Sequence, residues 1–320
     1  MGINLLNIEP HKVSKDLSGY ITYIYGAPKT GKTTLAVQMP KTLLLAFERG
    51  YNALPGVIAQ DVTSWGDMKQ VMRELKKPEV KANFDAVVVD TIDIASDFCQ
   101  KYICQQKGIE ALGDLGYGKG WTAFKDEFND VFRGLTQLGY AVFFIGHHKE
   151  QTITNDDGTE KIVIRPALSN STRQVIEGMA DIYGYAHQSN KNEMSVLTLR
   201  CPDDSISCGG RFKFPMRYEN LVEEIHKAID KEALEHGNQY VTDEREKPVE
   251  KEELNYDALM NKFQELVGNL MQTSEANGPK ITKIIEKYLG KGRKIADATP
   301  EQVEMINLIV TEIEDELMHS

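Results

Sequence analysis

Gly26-Ala27-Pro28-Lys29-Thr30-Gly31-Lys32-Thr33, with Thr34 following, is the stretch that decides how this chain is read. It fits G-x-x-x-x-G-K-[ST] in full, and the spacing has a mechanical reason. Backbone N–H groups must turn inward around a polyphosphate, glycines permit that wrap, and a lysine and a hydroxyl must follow at the start of a helix. Just upstream, residues 20–26 are β-branched and aromatic, end at a glycine and read as a strand. Just downstream, residues 32–39 read as a helix whose positive end faces the anion. Gly26 to Thr34 are therefore the predicted nucleotide contacts, with Lys32 on the β and γ phosphates and Thr33 on Mg²⁺.

Working outward, residues 42–47, 86–89 and 140–145 are near-continuous apolar runs, as parallel strands require when both faces are covered. Helical patterns at 64–77, 92–107 and 121–138 separate them. This alternation predicts an α/β domain of three layers with a mainly parallel sheet. The run Val87-Val88-Val89-Asp90 ends in a carboxylate suited to hold a magnesium shell through water, so ATP and Mg²⁺ are the predicted ligands. Residues 152–154 and 161–164 flank Asn155-Asp156-Asp157-Gly158 and predict a projecting hairpin. Segments near 182–186, 195–199 and 211–214 read as further strands, added antiparallel.

The chain has 320 residues and 41% hydrophobic content, enough for about two domains. Boundaries fall at 1–220 for the core, 221–255 for an acidic helix and linker, and 256–320 for a module of three amphipathic helices. The net charge of −11 is unevenly spread. Residues 1–150 hold 17 basic and 17 acidic groups, whereas residues 221–260 hold 5 and 12, so one segment supplies 7 of the 11 excess negative charges and the rest remains free to form basic patches. One such patch is the stripe Lys280, Lys283, Lys287, Lys291, Arg293 and Lys294, suited to phosphates or to a solvated helix face. Cys99, Cys104, Cys201 and Cys208 match no common zinc spacing and read as reduced thiols. No apolar run is long enough to cross a bilayer and no export signal begins the chain, so a cytoplasmic location is expected.

The order of these pieces over residues 20–217 resembles the RecA-like ATPases, in particular phage-encoded AAA-domain proteins of the recombinase or single-strand annealing type. In that resemblance Glu48, closing Leu43-Leu44-Leu45-Ala46-Phe47-Glu48, is the general base for the attacking water. His147, in Phe143-Phe144-Ile145-Gly146-His147-His148-Lys149, takes the position of the γ-phosphate sensor, where glutamine is more usual. The glycine-rich stretch 113–121 corresponds to a first DNA-facing loop with Tyr117, Lys119 and Trp121. The hairpin 150–170 corresponds to a second, with Lys149, Lys161 and Arg165 and with Arg173 nearby. Arg211, with Lys213, matches a basic pair that reaches the γ-phosphate of a neighbouring subunit.

The implied activity is ATP hydrolysis coupled to single-stranded DNA, in a homo-oligomeric ring or filament, with a single-strand-binding protein as a further expected partner and no membrane. Two other classes fit the phosphate loop: an AAA-type replication loader or remodelling ATPase, and a small-molecule kinase. A kinase should show an arginine-rich lid, which the sequence does not display. A loader of AAA type should carry its glutamate beside Asp90, where Thr91 stands.

Overall fold

The computed structural model describes residues 12–17, 19–188, 195–199, 201, 204–210, 221–235, 241–243, 254–273 and 277–318. The chain divides into two compact units, Pro10–Val249 and one that includes Glu250–Ser320.

In the first unit the strands are β1 (Val13–Ser14), β2 (Ile21–Gly26), β3 (Thr42–Ala46), β4 (Ile58–Asp61), β5 (Ala86–Asp90), β6 (Ala141–Thr154), β7 (Glu160–Pro166), β8 (Ile182–Gln188), β9 (Ser195–Thr198), β10 (Gly209–Gly210) and β11 (Val241–Thr242). The helices are α1 (Lys32–Ala36), α2 (Trp65–Glu74), α3 (Pro78–Asn83), α4 (Ile92–Lys107), α5 (Lys119–Thr136), α6 (Asn170–Met179) and α7 (Leu221–Glu235). Among the described residues one sheet runs β10-β8-β2-β6-β5-β3-β4, with β7 on β6 and β9 on β8. The six strands from β8 to β4 are parallel; β7, β9 and β10 are antiparallel. This is an α/β core with a mainly parallel sheet, as the alternation of apolar runs and helical patterns predicts.

Side chains alternate across the strands and feed two apolar layers. Tyr23, Leu45, Val87, Val89 and Phe144 face α2, α4, α5 and α6, while Ile24, Leu44, Val88, Phe143 and Ile145 face α1 and α7. Phe144 is wholly buried and meets Phe132 edge-on, 5.5 Å between ring centroids. Truncating such a residue to alanine costs about 3–5 kcal/mol. The register aligns the strand ends that matter: Gly26 lies opposite His147, Asp90 opposite Ile145, and Ala46 opposite Asp90. Everything placed at the carboxyl ends of β2, β6, β5 and β3 therefore opens on one edge, where ligands of open α/β sheets bind.

Several expectations need correction. The strand near 182–186 is not an antiparallel addition: β8 pairs parallel with β2, because α6, which the sequence reading left out, supplies the crossover that parallel pairing needs. The helix expected at 32–39 stops at Ala36, ahead of Pro40, which disfavours helix in the residue before it. β6 does not end near 145; it continues to Thr154 as one arm of the hairpin. β4 was not predicted, being short and half polar. The segment 221–235 packs Ile225 and Ile229 into the layer under α1, so it is part of the core unit. Val241–Thr242, expected to be linker, pairs with β1. Residues 211–214 lie outside the described residues.

The second unit contains α8 (Tyr256–Thr273), α9 (Gly278–Leu289) and α10 (Val303–Met318) around Phe263, Ile281, Ile284, Ile306 and Ile309.

Candidate functional site

The loop between β2 and α1 curls because Lys29 and Gly31 take left-handed backbone angles, φ 64° and 75°. Gly26 is required by crowding: a Cβ there would stand 2.2 Å from the Ala186 carbonyl oxygen of β8. Lys32 is 7% exposed, and its Nζ donates to the carbonyls of Gly26 (3.1 Å) and Ala27 (2.7 Å). Thr30 Oγ1 also donates to Ala27, at 2.9 Å, while Pro28, Lys29 and Thr34 face solvent. Burial pushes the Lys32 ammonium below its usual range, against the pull of Asp90, Glu48 and Asp93. A desolvated ammonium held by two carbonyls and in ion pair with no carboxylate among the described residues is poised for an anion. With α1 only five residues long, the attraction rests on the loop amides and Lys32 more than on a helix field.

Thr33 and Asp90 meet across this edge, Thr33 Oγ1 donating to Asp90 Oδ2 at 2.7 Å. Asp90 is 3% exposed, and burial, with the nearby Glu48 charge, pushes its carboxyl up to about 6 despite the Thr33 hydrogen bond. Lys32 is turned to the loop carbonyls, so Asp90 has no ion pair among the described residues. One hydroxyl and one under-compensated carboxylate fit Mg²⁺, which takes few protein ligands and completes its shell with phosphate oxygens and water.

Past β3 the chain remains tied to β5: the amides of Phe47 and Glu48 both donate to the Asp90 carbonyl, at 2.7 and 3.3 Å. This brings Glu48 beside Asp90 with its side chain 38% exposed, and its Oε1 stands 3.8 Å from His147 Nε2. Arg49, next along the chain, lies 3.6 Å from Asp61, which also accepts from the Tyr51 hydroxyl, and so does not pair with Glu48.

His147 is held from behind by Asp93, which the sequence reading missed. Asp93 Oδ2 is 2.6 Å from His147 Nδ1, and Oδ1 accepts the His147 amide at 3.2 Å. The hydrogen bond to Asp93 raises the imidazole pKa; burial acts to raise that of Asp93, but the bond and charge of His147 outweigh it and hold the carboxyl low. Both partners therefore favour the charged pair. An aspartate in the first turn of the helix after the Asp90 strand was the available signal. His148 points to the other face of β6, against the Tyr185 ring, so the two histidines do not act as a pair.

The residues expected to meet DNA divide. Gly116, Tyr117 and Gly118 have successive φ values of 36°, 52° and 72°, and Tyr117 is 104% exposed. Lys119 is exposed, and Trp121 is half exposed against Phe124. In the hairpin, Lys149 pairs with Arg165 and Ile153 with Lys161, so all three cations project from one face, whereas Glu150 and Glu160 belong to the other. Lys149 is exposed and donates to the Leu168 carbonyl at 3.2 Å. Arg173 is not available, since it pairs with Glu177 at 3.5 Å and is 13% exposed. Arg211 lies outside the described residues.

Residues 18–209 match a family model described as an AAA domain. The chain belongs to that AAA-domain family. Its core is thus an AAA-type P-loop ATPase domain, and such a domain uses a nucleotide. A relative of nearly equal extent is the SPbeta prophage-derived uncharacterized protein YorG of Bacillus subtilis (strain 168), 28% identical over 333 aligned positions that cover 98% of this chain and 99% of that protein. Among solved structures, the RadB recombinase aligns with a TM-score of 0.36 at 19% identity, over 56% of this chain and 80% of its own. No helix among the described residues is long and apolar enough to cross a membrane.

Proposed function

We propose that this protein is a phage-type ATPase that hydrolyses ATP at the edge formed by β2, β6, β5 and β3, and uses the bound or hydrolysed state to control its grip on single-stranded DNA. The observation that carries the reading is the convergence of the phosphate loop, Asp90, Glu48 and His147 on one edge, with His147 on the strand that continues into the cationic hairpin.

In this reading the loop amides and Lys32 bind the triphosphate, and Thr33 and Asp90 hold Mg²⁺. The ion, when bound, offsets the negative charge of the phosphates. Glu48 orients the attacking water and accepts its proton, a role open to an accessible carboxylate beside the phosphate site. Asp93 fixes the imidazole of His147 with Nε2 toward Glu48, so that His147 registers whether Glu48 and the terminal phosphate are engaged. Tyr117 on its exposed turn stacks on bases, and Lys119 and the hairpin cations Lys149, Lys161 and Arg165 meet phosphates. Arg211 completes the site of a neighbouring copy, which makes the active form a homo-oligomer. The prophage-derived relative supports a phage setting for this activity, and hence the cytoplasm of a host cell. Recombination or annealing of single strands, with a single-strand-binding protein as partner, is the process such coupling would serve.

ATPase rate measured with and without an oligo-dT strand tests the proposal. Stimulation by DNA supports it; hydrolysis indifferent to DNA at saturating strand would remove the coupling, and no nucleotide uptake at all would remove the site.

A further inference from the structure

We infer that the second unit carries its own contact for the nucleic-acid backbone, formed by the loop Lys291-Gly292-Arg293-Lys294 after α9 together with Lys283; this rests on the reading that the protein works on single-stranded DNA. The six cations of the stripe 280–294 are not equivalent. Lys280 pairs with Glu316 at 3.3 Å and Lys287 with Glu312 at 2.7 Å, and on α8 Lys262 pairs with Glu314 at 2.7 Å. These three lysines fasten α8 and α9 to α10, and their charge is answered within the module. Lys283, Lys291, Arg293 and Lys294 are all exposed and make no ion pair among the described residues.

The unpaired cations are also presented by a braced loop. Gly290 and Gly292 take φ values of 104° and 80°, the Gly292 amide donates to Glu286 Oε1 at 2.8 Å, and the Arg293 amide donates to the Gly290 carbonyl at 3.1 Å. The Lys294 amide donates to Asp297 Oδ2 at 2.7 Å. The carboxylates of Glu286 and Asp297 thus face the loop backbone, and the side chains of Lys291, Arg293 and Lys294 are left to solvent. A fixed cluster of unanswered cations, one of them a guanidinium, is suited to phosphodiesters, whose neutralisation releases counterions. An acidic protein segment is the competing occupant, and the experiment separates the two.

Binding of the full chain to fluorescent oligo-dT is measured across a salt series for the wild type, for K291Q/R293Q/K294Q, and for K262Q/K280Q/K287Q. Both variants change the net charge by the same three units. The loop variant is expected to lower the salt slope by about two and affinity by roughly a hundredfold near 0.1 M salt, at about 0.7 counterions per phosphate on a single strand. The paired-lysine variant should leave the slope unchanged. Equal losses in both variants would reduce the effect to overall charge and overturn the inference. So would an unchanged slope in the loop variant, the result expected if an acidic protein segment is the occupant. If the wild type fails to bind the strand, the DNA reading itself falls, a result distinct from either of these.

Discussion

The two units handle charge in opposite ways. At the carboxyl edge of the sheet, Lys32 and Asp90 are nearly buried and unpaired with each other, and both are held away from their usual proton affinities. In the helical module, Lys262, Lys280 and Lys287 lie at the surface and are answered by glutamates of α10. Buried charge without full compensation is costly for folding and persists where a ligand will supply the missing partner. Paired surface charge adds little to stability and serves mainly to set the register of packed helices. What marks a working site is the cation without an answer, and the same criterion singles out the loop after α9.

The contrast can be broken most severely at Glu48. Glu48→Gln should retain ATP affinity and lower turnover by roughly 10²–10⁴-fold, the usual worth of a positioned base; single-turnover kinetics with calorimetry would show it, and unchanged turnover would take Glu48 out of the mechanism. Lys32→Ala should weaken ATP binding by about a hundredfold, in line with loss of a charge-assisted bond, whereas Lys287→Ala should leave nucleotide binding untouched. Tyr117→Ala should weaken oligo-dT binding by about tenfold, within the range for one stacked base, with fluorescence anisotropy as the readout and no change in salt slope.

The smallest effect expected is a pH signature. His147 has a raised pKa in the folded state, so its contribution is fully present below about pH 6.5 and is lost as pH rises through the folded value. Asp93 has a lowered one, so its contribution is present above about pH 4 and is lost as pH falls through its folded value. The Tm difference between the wild type and Asp93→Asn should therefore be largest between about pH 4 and 6.5 and shrink on both sides. A flat difference would reduce Asp93 to packing.

Much of the architecture is legible in the sequence because parallel strands must be apolar on both faces. The runs 42–47 and 86–89 can hardly be anything else, and the phosphate loop fixes the strand and helix around it. Less visible were features set by partners far along the chain. β8 reads as an added antiparallel strand until α6 is seen to bring it beside β2, and β4 is too short and mixed to declare itself. The site divides the same way. Lys32, Thr33 and Asp90 follow from local spacing, and Glu48 from its place after an apolar strand. Asp93 becomes meaningful only once β6 is inserted between β2 and β5 and His147 is brought above it. The segregation of Lys149, Lys161 and Arg165 from Glu150 and Glu160 likewise depends on hairpin register, which composition averages away.

β6 is a single uninterrupted ribbon of 14 residues, paired on both sides up to Ile145, with β2 alone as far as His147, and among the described residues with β7 alone from His148 onward. The eight residues from His147 to Thr154 span about 24 Å, seven steps at strand rise, with no hinge along the way. A tilt of about ten degrees at the imidazole would swing the far tip by about 4 Å over that length. The event at the phosphates would then need no relay of loosening segments, because a stiff arm multiplies a small displacement at its fulcrum into a stroke comparable to the spacing of nucleotides.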